Sequence, residues 1–168
     1  MLPDVLGPDL KIVFCGTAAG RKSAELGFYY AGNGNKFWKT LFETGLTPRL
    51  LMPSEFSELI NWGIGLTDMV KDKSGMDNSL MRSDFKNNGL VEKINKYNPD
   101  VLHFQSNGHP WFITGYPFLN NMAIVNTIHD HKPHLGDKSS NGSFLSIKLG
   151  RIFTDRYIVH SEYSTIFL

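Results

Sequence analysis

The chain reads as an α/β domain three layers deep (αβα), with helices on both faces of a mainly parallel central sheet. Three observations predict this. Short β-prone apolar runs recur at residues 12–15, 101–104, 123–128 and 157–160. The first, Ile12-Val13-Phe14-Cys15, has no polar alternation, which marks a strand buried on both faces. Between the runs lie segments with apolar residues at helical spacing, and βα alternation of this kind builds parallel sheets. At 168 residues, with 41% hydrophobic and 20% charged residues, one domain with a substantial core is expected.

The elements follow in order. After residues 12–15 comes Gly16-Thr17-Ala18-Ala19-Gly20, expected to be a loop. Small residues between glycines permit a sharp turn and let a ligand approach backbone N–H groups. Tyr29 and Tyr30 then precede the turn-rich Ala31-Gly32-Asn33-Gly34. Asn35 offers an N-cap for an amphipathic helix starting at Phe37-Trp38, with Leu41 and Phe42 at helical spacing and Gly45 as a stop. Phe37 and Trp38 are expected in the core. Pro53-Ser54 opens a short helix carrying Phe56, Leu59 and Ile60. Residues 64–70 read as a loop or short strand, and the polar stretch 71–86 as a loop.

A helix with Leu90, Val91, Ile94 and Tyr97 on one face is broken by Asn98-Pro99-Asp100 before strand 101–104. Residues 109–119 read as a helix that Pro117 kinks or ends. Residues 123–128 are a strand, 144–153 a helix and 157–160 the last strand.

Bulk properties narrow the function. A net charge of +1 gives no global attraction to nucleic acid, so a DNA partner would need a local patch. One cysteine excludes an internal disulfide and a cysteine-rich zinc site, and suits a reducing cytosol. No signal-peptide pattern is evident at the N-terminus, and no apolar run approaches the roughly 18 residues of a membrane span. A cytoplasmic protein with no membrane partner is expected.

The order of motifs says more. Leu2-Pro3-Asp4-Val5-Leu6, the run VFCG, the GxxxG stretch, Ser23-Ala24, Gly27, Tyr29-Tyr30-Ala31 and NKFW come first. Gly45-Leu46-Thr47-Pro48-Arg49 and Gly63-Ile64-Gly65-Leu66-Thr67-Asp68 complete the series. Together, up to about residue 97, they resemble the mismatch-specific uracil/thymine-DNA glycosylases of the uracil-DNA glycosylase superfamily. The resemblance implies base excision repair without a cofactor or metal. A monomer would act on double-stranded DNA carrying uracil or a mismatched base, flipping the base out and hydrolysing its N-glycosidic bond.

By that resemblance, Gly16, Thr17, Ala18, Gly20, Tyr30 and Asn35 form the base pocket, Tyr30 stacking on the flipped base. Ser23 and Lys22 contact a DNA phosphate. Many members of the family hold the water with Asn in a GxNPG pattern. Here that position is Ala18, and Asp68 of GLTD is the expected replacement. A carboxylate there stabilises an oxocarbenium-like transition state and orients water. The family's later motif, a strand leading into a Pro-Ser loop that wedges into the duplex, has no counterpart. Strand 123–128 leads instead into His129-Asp130-His131-Lys132-Pro133-His134. No Cys or Glu completes a tetrahedral metal set there, so these read as surface histidines.

Residues 98–168 carry a second resemblance. NPDVLHFQ, His109-Pro110-Trp111, Thr127-Ile128-His129-Asp130 and DRYIVHSEYS are similar to the N-terminal domain of glycogen-synthase-type retaining glycosyltransferases. The chain is thus expected to comprise a glycosylase-like half, 1–97, and a transferase-like half, 98–168, packed as one α/β domain. The alternative functions are a truncated acceptor-side domain that binds sugar and a non-catalytic hybrid.

Overall fold

Val13, Cys15, Leu102 and Phe104 have no solvent exposure, as strands covered on both faces require. The computed structural model describes residues 1–75, 80–85, 89–105, 115–119, 121–128 and 152–159. Strand β1 (Ile12–Ala19) is followed by helices α1 (Arg21–Leu26) and α2 (Phe37–Glu43) and a 3-10 stretch, Pro53–Trp62. Strand β2 (Ile64–Ser74), a 3-10 turn at Arg82–Phe85 and helix α3 (Leu90–Tyr97) come next. Strands β3 (Val101–Phe104), β4 (Ala123–Ile128) and β5 (Arg156–Val159) complete the sheet, with a 3-10 turn at Tyr116–Phe118.

The five strands form one parallel sheet in the order β2-β1-β3-β4-β5. Apolar side chains fill both sides of it. On one face Val13, Cys15, Leu102 and Phe104 pack with Leu90 and Ile94 of α3. On the other, Phe14, Ile64 and Leu66 pack with Trp38 and Leu41 of α2 and Leu59 of the 3-10 stretch. This is the three-layer α/β architecture that the strand and helix pattern predicts. The order reverses at β1: β2 lies on one side of it and β3 on the other. In open α/β sheets such a reversal leaves a crevice at the carboxyl ends of the strands, where ligands bind.

Several elements differ from the sequence reading. Gly16, Thr17, Ala18 and Ala19 are not a loop; they continue β1 because β2 pairs with them as far as Ala19. Residues 64–74 form a full 11-residue strand rather than a loop or short strand. The extended ladder with β1 overrides local turn preference. Helix α1 begins directly after Gly20, where no helix is expected, and Pro53–Trp62 is 3-10 rather than α-helix. Of residues 109–119, the described part holds one 3-10 turn, Tyr116–Phe118. Nearly all of the helix expected at 144–153 lies outside the described residues, as do the histidines of 129–134.

Candidate active site

Asp68 sits inside β2, opposite Gly16 in the β1–β2 register, and the residue is only 5% exposed. Glycine is required opposite it. A β-carbon on Gly16 would lie 2.7 Å from Asp68 Oδ1, closer than real β-carbons approach an oxygen. The missing side chain is the space that the carboxylate fills.

The register then breaks. Ala18 pairs with Val70, but Ala19 pairs with Ser74, leaving Lys71, Asp72 and Lys73 unmatched. A bulge bends its strand and redirects side chains. Lys71 Nζ lies 3.6 Å from Asp68 Oδ2, 2.8 Å from Asp4 Oδ1, and donates to the Tyr29 hydroxyl at 2.9 Å. Asp4 also receives Lys93 Nζ at 2.8 Å and the Thr67 hydroxyl at 2.7 Å. The Tyr29 hydroxyl hydrogen-bonds to Asp68 as well.

Burial pushes the Asp68 carboxyl up to about 6, against the pull of Lys71. Asp4 behaves differently: burial would raise it, but its bonds to Lys71, Lys93 and Thr67 bring it below the ordinary carboxylate value. Two carboxylates in one cluster therefore have different chemistry. Asp4 is a fixed anion; Asp68 is ionised at neutral pH yet basic enough to take a proton.

Aromatic residues wall the site. Tyr30 adopts a left-handed backbone (φ 53°), a strained conformation for a non-glycine residue, and strain of this kind gathers at functional sites. Its neighbours hold it there. The Trp38 indole N–H donates to the Tyr29 carbonyl at 3.2 Å, and the Ala31 N–H donates to Ser23 Oγ at 3.1 Å. The Tyr30 ring stacks on Phe37 with centroids 3.8 Å apart. Phe37 also meets Phe14 edge-on, and Phe14 contacts His103 at 5.0 Å. His103 faces Thr127, Nε2 to Oγ1 2.8 Å, and burial lowers its imidazole to about 4, so it is neutral.

The other expected site residues fall as follows. Thr17 is buried in β1, Ala18 is half-buried there, and Gly20 precedes α1 in extended conformation. Lys22 is exposed and pairs loosely with Glu25 at 3.6 Å. Ser23 is buried, its oxygen holding Ala31; a hydroxyl that accepts one bond can still donate another. Asn35 is exposed and caps α2, its Oδ1 accepting the Phe37 N–H at 2.9 Å. Asn35→Ala is expected to cost about 1 kcal/mol and to lower the calorimetric midpoint by about 2–4 °C.

Asp4, Tyr29 and Lys71 are site residues that the sequence reading did not assign. Asp4 and Tyr29 lie within motifs that the resemblance already used, and Lys71 follows Asp68 by one helical-length step that gives no signal in a strand. Phe37, read as core, packs half-buried against the core beside Phe14 and Trp38 and also stacks on Tyr30.

A cleft of about 640 Å³, lined by residues including Lys11, Leu46, Trp62 and Gly63, opens where β1 and β2 begin. Its lining takes in Asp9 as well as Lys11, and Asp4, Asp68 and Lys71 are not part of it.

The family model for the Uracil DNA glycosylase superfamily matches residues 3–129, more than half of the chain. The match takes in Asp4, β1, the aromatic wall, Asp68 and Lys71, and it runs past residue 97 through β3 and β4.

Proposed function

The chain belongs to the uracil DNA glycosylase superfamily, and we propose that it hydrolyses the N-glycosidic bond of uracil, or of another deaminated or mismatched base, in double-stranded DNA. The observation that carries this reading is the buried, side-chain-free space at Gly16 that Asp68 occupies inside β2, one position past the last β1–β3 pair. A carboxyl that burial raises to about 6 is matched to accepting a proton from water.

In the reaction, water oxygen attacks C1′ and its proton passes to Asp68. The C1′–N bond breaks with its electron pair leaving on the base. Before attack is complete, the anionic carboxylate also stabilises positive charge on the sugar. Tyr30, fixed by Ser23, Trp38 and Phe37, is the face against which the extruded base stacks. Gly16, Thr17, Ala18 and Gly20 supply the adjacent wall. Lys22 and the Ser23 hydroxyl engage phosphate next to the extruded nucleotide.

The test uses duplexes labelled on one strand and carrying uracil, hypoxanthine or mismatched thymine, incubated with EDTA and then heated in alkali. Strand cleavage at one of these bases is the expected result. A folded protein that leaves all three duplexes intact would overturn the proposal.

A further inference from the structure

Asp68 is not the closest partner of the lysine beside it. Lys71 Nζ is 2.8 Å from Asp4 and 2.9 Å from the Tyr29 hydroxyl, but 3.6 Å from Asp68. Asp4 comes from the N-terminal segment, 64 positions before Asp68 in the chain. A second ammonium, Lys93 of α3, and the Thr67 hydroxyl fix its carboxylate from other directions. An antiparallel bridge between Val5 and Leu66 anchors that segment to β2.

We propose that Asp4 is a positioning residue that holds the Lys71 ammonium away from Asp68, leaving Asp68 an oxygen for the attacking water. This rests on the role given to Asp68 above. A lysine in direct contact with Asp68 would neutralise it as a base and occupy the oxygen that water needs. With no lysine at all, a carboxylate this buried would take up a proton near neutral pH and lose its charge. Asp4 sets the intermediate state.

The groups facing Asp68 are Lys71 on its own strand, Tyr29 and Tyr30 after α1, Cys15 on β1 and Asp4. Lys93 of α3 reaches the cluster through Asp4. Asp4, Asp68, Lys71 and Lys93 together carry two charges of each sign. Removing the charge of Asp4 leaves two cations around one anion and releases Lys71 to turn toward Asp68. Both changes favour ionised Asp68, so its titration must move to lower pH.

The experiment follows the Asp68 carboxyl by carbon NMR over a pH series in the wild type, in Asp4→Asn and in Lys71→Met. Asp68→Asn identifies the resonance. In Asp4→Asn the Asp68 titration is expected to move down by about one unit or more. The acid limb of kcat should move with it, and kcat at pH 8 should fall about tenfold. In Lys71→Met the titration is expected to move up.

Opposite shifts from the two variants are a signature that loss of packing would not produce. If Asp4→Asn does not fold, an unmoved or lowered titration in Lys71→Met overturns the proposal by itself. An unmoved titration in folded Asp4→Asn, with Asp68→Asn inactive, overturns the role of Asp4 and leaves that of Asp68 standing. Full activity in Asp68→Asn would instead overturn the catalytic reading, and the carbon titration would still judge the electrostatic one.

Discussion

Replacing Asp68 by Asn is expected to lower kcat by about 10²- to 10⁴-fold, the range for loss of a positioned acid–base group, while making the protein more stable at pH 8. The two effects have one cause. The carboxyl is raised from 3.8 to about 6, mainly by burial and despite Lys71. A group raised on folding contributes its full stability below the unfolded value, and that contribution is lost as pH rises through the folded value. The window is therefore about pH 3.8 to 6. Above it, the charged side chain burdens the fold.

At 1.36 kcal/mol per unit, the ceiling on that burden is about 3 kcal/mol. An asparagine amide must still find partners in the same space, so the expected gain is about 1–2 kcal/mol. For a domain of this size the midpoint should rise by about 2–6 °C at pH 8. About half of the gain should be gone at pH 5, where the wild-type side chain is already mostly protonated. Calorimetry of both proteins at the two pH values, beside single-turnover kinetics, checks this. A midpoint that falls equally at both would mean that Asp68 and Lys71 form a stabilising ion pair, and that the carboxylate is not held ready for water. In the wild type, the same ionisation makes activity fall as pH drops through about 6, since the carboxylate is the form that accepts the proton.

What the sequence reveals of this arrangement depends on how local each feature is. Residues 12–15 declare themselves as a strand because Val13 and Cys15 face one core and Phe14 the other, and 101–104 and 123–128 do so as short β-prone runs. Helix α3 does so through the spacing of Leu90 and Ile94. The rest of β1 is hidden. Gly-Thr-Ala-Ala-Gly has the composition of a turn, and only the ladder with a strand some fifty residues later makes it extended. β2 is hidden for the same reason, since its Lys71-Asp72-Lys73 run looks like solvated loop.

Asp68 itself could be selected by resemblance, but its environment could not. Asp4 and Tyr29 converge on it from separate parts of the chain, with Lys93 of α3 joining through Asp4, and no local pattern encodes that convergence. Tyr30 shows the same limit. Its place in the motif marks it, but the left-handed backbone and the stack on Phe37 are tertiary facts.

The two glycines of the GxxxG stretch, equivalent in sequence, are expected to separate under substitution. Gly20 has an ordinary extended backbone (φ −61°), and an added β-carbon meets nothing within 4 Å. Gly20→Ala should leave stability unchanged within about 0.5 kcal/mol. Gly16→Ala drives a methyl group to 2.7 Å from Asp68 Oδ1. That oxygen is no free end of a flexible chain, because the Asp68 carboxylate is buried and hydrogen-bonded by Tyr29. The expected cost is about 1–3 kcal/mol of stability, as for other overpacked interiors. A carboxylate displaced by about 1 Å should also lose about 10²-fold in kcat. A double-mutant cycle isolates the cause. If Gly16 serves chiefly to make room for the Asp68 carboxylate, Gly16→Ala should cost almost no further activity once Asp68 is Asn, although its effect on stability persists. A full 10²-fold additional loss in the double variant would mean that Gly16 acts on the substrate directly, through close approach of the base to the backbone of β1, and that Asp68 and Gly16 contribute to catalysis independently.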